Sequence, residues 1–150
     1  MTAALLQPAI ALAAWTMVMW LWMYATRLPA MSKAKVDPDS LARDPDMSLD
    51  KVLAPNVQWK AHNYNHLHEA PTVFYAVVLA LVLLGQNGDF AAGFGPAIWL
   101  AWAYVVVRIV HSIVQVTINR VVVRFAMFFL SQLALLGLVV IAALTAFGLT

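Results

Sequence analysis

The chain has 150 residues, of which 63% are hydrophobic and 11% are charged, with a net charge of +2 and no cysteine. This composition excludes an ordinary soluble domain and predicts a single integral membrane domain over residues 1–150. Without cysteine, the chain has no disulfide, thiolate metal site or cysteine nucleophile. The basic residues are too few and too scattered for a nucleic-acid interface, so we expect no nucleic-acid partner.

Four apolar segments are long enough to cross a bilayer, which takes about 20 helical residues. They predict an all-α fold, a membrane-spanning four-helix bundle with helices at about residues 5–24, 56–84, 97–118 and 124–147. Residues 27–55 contain four prolines and mixed charges, and predict a polar loop with room for one short helix. Residues 85–96 and 119–123 predict short connections between helices.

The basic residues indicate the orientation of the bundle. Of the nine lysines and arginines, five lie between the first and second helices and Lys60 lies near the start of the second, while Arg120 and Arg124 lie at the turn between the third and fourth. Loops rich in Lys and Arg stay on the cytoplasmic side of a membrane. The polar loop is therefore expected in the cytoplasm and both termini outside it.

The segment Trp59–Tyr75 combines three of the four histidines with an acidic residue and a proline at the start of an apolar run. On a helix, one face carries polar side chains at positions i, i+3, i+4 and i+7, namely His62, Asn65, His66 and Glu69. Pro71 cannot donate to the carbonyl of Leu67, so a kink is expected here. The polar face must point into protein or a wet cavity, because ionisable groups are costly against lipid.

The third predicted helix has its own polar stripe, whereas its other side is Val, Ile and Trp. The stripe consists of Tyr104, Arg108, His111, Ser112, Gln115 and Asn119. An arginine at mid-membrane costs roughly 2.5–3.5 kcal/mol on insertion scales, so it needs a partner. Glu69 is the only acid in any apolar span. A contact between Glu69 and Arg108, within one subunit or between two, is therefore predicted.

Two roles stay open for Arg124, at the start of the fourth helix: it holds an anion or thiolate beside Glu69 and His111, or it reaches lipid headgroups. His62, His66 and Glu69 have the spacing of metal ligands. However, a membrane di-iron site needs several histidine clusters, and the chain has four histidines in total. We expect these histidines to make hydrogen bonds and expect no metal.

The segments AHNYNHLHEAPTVFY and RIVHSIVQVTINRVVVRF, with four helices and a long first loop, resemble the family of membrane-associated proteins in eicosanoid and glutathione metabolism. The bacterial members are the most similar. The resemblance implies a homotrimer in the bacterial inner membrane, in contact with membrane lipids. It also implies that glutathione binds between subunits at the cytoplasmic side and that a lipophilic small molecule arrives from the bilayer.

By this resemblance, Arg124 matches the arginine that holds the glutathione thiolate and is the candidate catalytic residue. Glu69 matches the glutamate that binds the tripeptide, and Arg108 with His111 matches an arginine-x-x-histidine motif. Glutathione-using members have arginine, asparagine and tyrosine where this chain has Asn65, His66 and Gln115. The candidate glutathione-binding residues are Glu69, His66, Asn65, Arg108, His111 and Gln115.

Two functions from different classes remain open at this point. The first is a glutathione-dependent transferase or peroxidase that acts on lipophilic electrophiles. The second is a non-enzymatic trimer that binds lipids or a protein partner, in which the polar residues form an internal network that fixes packing. Use of another thiol or an anionic lipid by the same pocket is a third interpretation, which no residue selects.

Overall fold

The computed structural model describes residues 2–44, 48–86 and 95–149, and it contains helices and no strand in these ranges. The helices are α1 (Thr2–Lys33), α2 (Pro38–Arg43), α3 (Leu49–Val52), α4 (Pro55–His66), α5 (Ala70–Gln86), α6 (Gly95–Thr117) and α7 (Val121–Ala146). Four segments are long and apolar enough to cross a membrane, with α4 and α5 together forming one of them. The all-α membrane bundle is confirmed.

The first helix continues to Lys33 and does not end near Tyr24 as predicted. The prediction stopped where apolar residues give way to charge, but Arg27 is held by a hydrogen bond from its Nη2 to Gln58 Oε1 on α4, at 3.1 Å. The predicted loop contains two short helices, α2 and α3, where one was expected. Residues 45–47 of this loop lie outside the described residues.

The second predicted helix is interrupted at residues 67–69, where the chain leaves α4 and starts α5. Pro71 lies in the first turn of α5, where a missing backbone N–H costs no helical hydrogen bond. The expected kink is therefore a full break, and Glu69 lies in it. The predicted connection at 85–96 falls largely on residues 87–94, outside the described ranges, and α6 begins at Gly95.

Helix α6 packs against α1, α4 and α7 and forms the centre of the bundle. The predicted polar stripe faces protein: Tyr104, Arg108, His111, Ser112 and Gln115 are all buried. On the opposite face, Trp99, Val106 and Ile113 are exposed. The arrangement is the one expected of a membrane helix, whose polar groups point inward and whose apolar groups point to lipid.

The apolar core joins α1, α5, α6 and α7 through fully buried side chains such as Leu12, Phe74, Val105 and Leu138. Of the four membrane-spanning segments, helix α7 is the least enclosed: 17% of its most apolar 18-residue stretch is buried. Its exposed side chains are large and apolar, so in a bilayer they contact lipid or another protein surface. Helix α7 begins at Val121, earlier than predicted, because the turn from α6 is completed by Asn119 at a φ of 51°.

Candidate functional site

A pocket of about 310 Å³ lies at the end of the bundle where α4 ends, α6 ends and α7 begins. Its lining residues are His66, Glu69, His111, Val121, Arg124, Phe125 and Phe128. Helices α6 and α7 are joined by a short turn and pack against each other, so the second half of α6 lies beside the first turns of α7. Four of the sequence-predicted site residues, namely His66, Glu69, His111 and Arg124, are thus brought together.

The pocket contains a histidine paired with a carboxylate. His66 Nδ1 lies 2.9 Å from Glu69 Oε2; His66 is the last residue of α4, and Glu69 lies in the break before α5. Both side chains are accessible, with 41% and 63% exposed. Such an exposed pair contributes little to stability, about 0–1 kcal/mol, so its position in the pocket is the more informative property.

His111 contributes from α6 and is held by its neighbour one turn later. Its Nε2 lies 3.2 Å from Gln115 Oε1, and both side chains are buried. Its Nδ1 is buried and has no hydrogen-bond partner among the described residues. Gln115 does not line the pocket; it fixes the ring that does.

Arg124 is partly buried in the first turn of α7. Its Nη1 donates to Asn119 Oδ1 at 2.7 Å, while its Nε is buried and has no partner within the described ranges. Asn119 therefore holds the guanidinium from the preceding turn. The side chain is anchored inside the protein and lines the pocket, which differs from an arginine that simply extends to headgroups.

Arg108 is buried and does not line the pocket. Its guanidinium carbon lies 5.7 Å from the centroid of the Tyr104 ring and 5.4 Å from that of Phe128. These distances suit cation–π contacts, which are worth about 2 kcal/mol or more where water is excluded. Phe128 is also a lining residue of the pocket, so it contacts both Arg108 and the pocket.

The predicted ion pair between Glu69 and Arg108 is not found within one chain. Among the described residues, the ionic partner of Glu69 is His66, and Arg108 is enclosed by two aromatic rings. The break at 67–69 is the physical reason, because it leaves Glu69 exposed at the end of α4. A contact between Glu69 of one subunit and Arg108 of another stays a prediction.

Two residues of the predicted polar face lie away from the pocket. Asn65 is exposed and is not among the lining residues. His62 Nε2 lies 2.9 Å from Asp50 Oδ1 on α3, so His62 and His66 have different carboxylate partners. In the part of the chain that the structure describes, no three His, Cys, Asp or Glu residues lie together in a way that could hold a metal ion.

Sequence reasoning missed four contributors to the site, one asparagine on α4 and three apolar residues on α7. Asn63, which is not part of the predicted polar face of α4, is buried and donates from Nδ2 to Ser112 Oγ. The apolar wall of the pocket consists of Val121, Phe125 and Phe128. The sequence contained two signals: the i, i+4 spacing of Arg124 and Phe128 places them on one face of a helix, and Asn119 suits the end of a helix because Asn tolerates a positive φ.

Together these features define a four-helix integral membrane protein with cationic, anionic and imidazole side chains gathered at one end of the bundle. Residues 5–144 match the model of the MAPEG family, which is nearly the whole chain. The protein therefore belongs to the MAPEG family, and the resemblance seen in the sequence is confirmed. No curated protein and no solved structure shows a significant match to it.

Proposed function

We propose that this protein is a glutathione-dependent transferase or peroxidase that acts on lipophilic electrophiles or peroxides. The observation that carries the proposal is the place of Arg124, whose guanidinium lines a pocket together with Glu69, His66 and an apolar wall. A guanidinium is always charged and stabilises a neighbouring thiolate. The thiolate is the nucleophilic form of a thiol, so a pocket that favours it activates the thiol.

The charges in the pocket fit the groups of glutathione. Glu69 suits the ammonium group of the tripeptide, and Arg124 suits the sulfur anion. A volume of about 310 Å³ is at the lower end of the range of roughly 300–1,000 Å³ for small-molecule sites. Membership of the MAPEG family adds support, since this family is broadly associated with glutathione use.

The start of α7 is a second reason to expect an anionic ligand. Arg120 is the N-cap residue of α7, Arg124 lies in its first turn, and this turn has no acidic residue. The N-terminus of a helix carries a partial positive charge, so cations there are unfavourable by about 0.3–1 kcal/mol each. An anion beside Arg124 offsets this cost.

The apolar wall of the pocket faces away from the protein core. Val121 is 72% exposed and Phe125 68% exposed, and both belong to the membrane-spanning helix α7. A lipophilic substrate that diffuses in the bilayer reaches this wall directly. The charged side of the pocket and its lipid-facing side thus suit a polar thiol and an apolar electrophile.

The assembly and orientation belong to the same proposal. Helix α7 is poorly enclosed in one chain, and Glu69 is exposed at the rim of the pocket. In the homotrimer implied by the family, a neighbouring subunit covers these surfaces and completes the glutathione site. The distribution of basic residues supports a pocket at the cytoplasmic face of a bacterial inner membrane, with both termini outside.

The direct test is glutathione consumption by the purified protein in detergent, with a hydrophobic aryl halide or a lipid hydroperoxide as second substrate. The Arg124→Ala variant is expected to lose about 100-fold in turnover, the scale of removing one preorganised charge from a reacting centre. Arg120→Ala is the matched control, because Arg120 is exposed and does not line the pocket. Equal activities of the two variants would contradict the proposal.

A non-enzymatic function has its own supporting observation. The buried hydrogen bond Asn63–Ser112 links α4 to α6, and the buried bond His111–Gln115 fixes a ring within α6. Such links fix the geometry of a bundle whether or not a ligand binds. A lipid-binding or partner-binding trimer predicts that Arg124→Ala changes neither thiol chemistry nor assembly, and that no electrophile is consumed with glutathione.

A further inference from the structure

We infer that His66 is the base that removes the thiol proton, with Glu69 orienting its ring and Arg124 receiving the sulfur anion. The inference rests on the proposed function and deepens it. It assigns the proton, which an arginine cannot take, to a particular atom, Nε2 of His66. A permanently protonated guanidinium stabilises an anion but does not act as a base.

The geometry of the His66–Glu69 pair selects this nitrogen. With a carboxylate oxygen 2.9 Å from Nδ1, the neutral imidazole places its hydrogen on Nδ1 and donates it to Glu69. The lone pair is then on Nε2. In the described part of the chain, Nε2 of His66 has no hydrogen-bond partner, so it is free to accept a proton. A base oriented by a third group is the arrangement that activates nucleophiles in many enzymes.

The pocket contains both the proposed base, His66, and the group that would hold the thiolate, Arg124. His66, at the end of α4, shares the pocket with Arg124, on α7. The titratable and charged groups that face His66 are Glu69 from the 67–69 link, His111 from α6 and Arg124 from α7. Glu69 is an acid that stabilises an imidazolium, and Arg124 is a cation that stabilises a thiolate.

The other candidates for the base are less suitable. His111 has its Nε2 engaged by Gln115, and its Nδ1 is buried from solvent. A ligand in the pocket therefore reaches His66, which is 41% exposed, more readily than the free nitrogen of His111. Glu69 already accepts from His66 and is, among the described residues, the only carboxylate that lines the pocket.

The step transfers one proton and creates one positive and one negative charge. The S–H bond of the thiol breaks, its electron pair stays on sulfur, and an N–H bond forms at Nε2 of His66. The imidazolium produced has Glu69 at hydrogen-bond distance, and the thiolate has the guanidinium of Arg124 in the same pocket. Because both new charges meet an opposite charge that is already in place, the transfer needs little reorganisation.

The test compares His66→Asn with His62→Asn in purified trimer or detergent-solubilised protein. Asn at 66 still offers an N–H to Glu69 but has no basic nitrogen. His62 is the matched control, since it is a carboxylate-paired histidine on the same helix that lies outside the pocket. The readouts are glutathione binding, kcat and KM with an aryl halide, and their dependence on pH.

For His66→Asn we expect kcat to fall about 100-fold at neutral pH, the usual scale of general-base catalysis, with a much smaller change in glutathione binding and KM, since His66 also lines the pocket. The activity of this variant should recover as the pH rises, because hydroxide then replaces the missing base. Free imidazole added to His66→Ala should restore part of the turnover, which a merely structural role does not predict. His62→Asn should match the wild type in all readouts.

The outcomes separate this inference from the proposed function. If Arg124→Ala abolishes turnover while His66→Asn keeps the wild-type kcat and pH profile, the assignment of His66 as the base is wrong and the proposed function stands. If His111→Asn produces the pH shift instead, the base is on α6 and the inference is overturned. If the wild type neither binds nor consumes glutathione, the proposed function fails and the inference falls with it.

Discussion

The side-chain amide of Asn63 donates a hydrogen bond to the hydroxyl of Ser112, and both side chains are buried. Asn63 lies on α4 three residues before His66, and Ser112 follows His111 on α6. This bond therefore fixes the helix that ends at one pocket histidine against the helix that carries the other. The two sides of the pocket are held at a set distance by a polar contact that is not itself in the pocket.

Removal of the Asn63 amide should destabilise the bundle. Asn63→Ala leaves the Ser112 hydroxyl buried without this donor, and we expect the free energy of unfolding to fall by about 1–3 kcal/mol. Thermal unfolding in detergent measures the change. The same substitution at Asn65, which is exposed, serves as control and should have little effect. Equal losses for the two variants would mean that the Asn63–Ser112 bond does not stabilise the interface.

Asn119 is expected to act as a positioning residue for Arg124. Its Oδ1 accepts from the guanidinium, and its φ of 51° favours Gly over Ala as a replacement. Both Asn119→Gly and Asn119→Ala should reduce glutathione turnover about tenfold, since a hydrogen bond to a charged group is worth about 1.5 kcal/mol or more.

Stability measurements should separate these two variants. Asn119→Ala should additionally lower the free energy of unfolding by about 1–2 kcal/mol relative to Asn119→Gly, because an L-residue with a Cβ is strained at positive φ. Thermal unfolding of both proteins gives this difference. A full wild-type turnover in Asn119→Gly would show that Arg124 does not need this partner.

The helices and the inward stripe of α6 were predictable because they follow from local rules: apolar length and helical periodicity. The break at 67–69 was signalled by Pro71, although a kink and a full break give the same signal. Asn63 was not predictable, because one asparagine in a polar segment carries no sign of which partner it meets on a distant helix. Its partner, Ser112, is 49 residues away in sequence.

The predicted Glu69–Arg108 pair shows the same limit of prediction from sequence. The sequence showed that Arg108 needs a partner and that Glu69 is the only acid in an apolar span, but the direction of each side chain depends on tertiary packing. Arg108 instead lies between the rings of Tyr104 and Phe128. Composition identifies which charge needs a partner, and packing decides whether that partner is a carboxylate or an aromatic face.

A double-mutant cycle tests whether Glu69 and Arg108 interact in the assembled protein. From the contacts of one chain, we expect Glu69→Gln and Arg108→Gln to be additive within about 0.5 kcal/mol in unfolding free energy. Unfolding of the two single variants and the double variant gives the coupling energy. A coupling well above this value would contradict the expectation and would place the pair between neighbouring subunits.

Gly137 of α7 lies against the side chain of Leu100 on α6. A Cβ at this position would lie 3.0 Å from Leu100 Cδ1, a distance that requires the leucine to move. Gly137→Leu should therefore lower the free energy of unfolding by about 1–3 kcal/mol, the usual cost of overpacking. Gly95→Leu is the control, because a Cβ there has nothing within 4 Å. Similar unfolding temperatures for both variants would contradict this account of the interface.

The central claim is that the pocket around Arg124 binds a thiol as its thiolate. The most direct measurement is the ultraviolet absorbance of thiolate as glutathione is titrated into the purified protein at neutral pH, with Arg124→Ala and Arg120→Ala in parallel. We predict a saturable thiolate signal in the wild type and in Arg120→Ala, and its loss in Arg124→Ala. A signal of equal size in all three proteins, or no saturable signal in the folded wild type at millimolar glutathione, would contradict the claim.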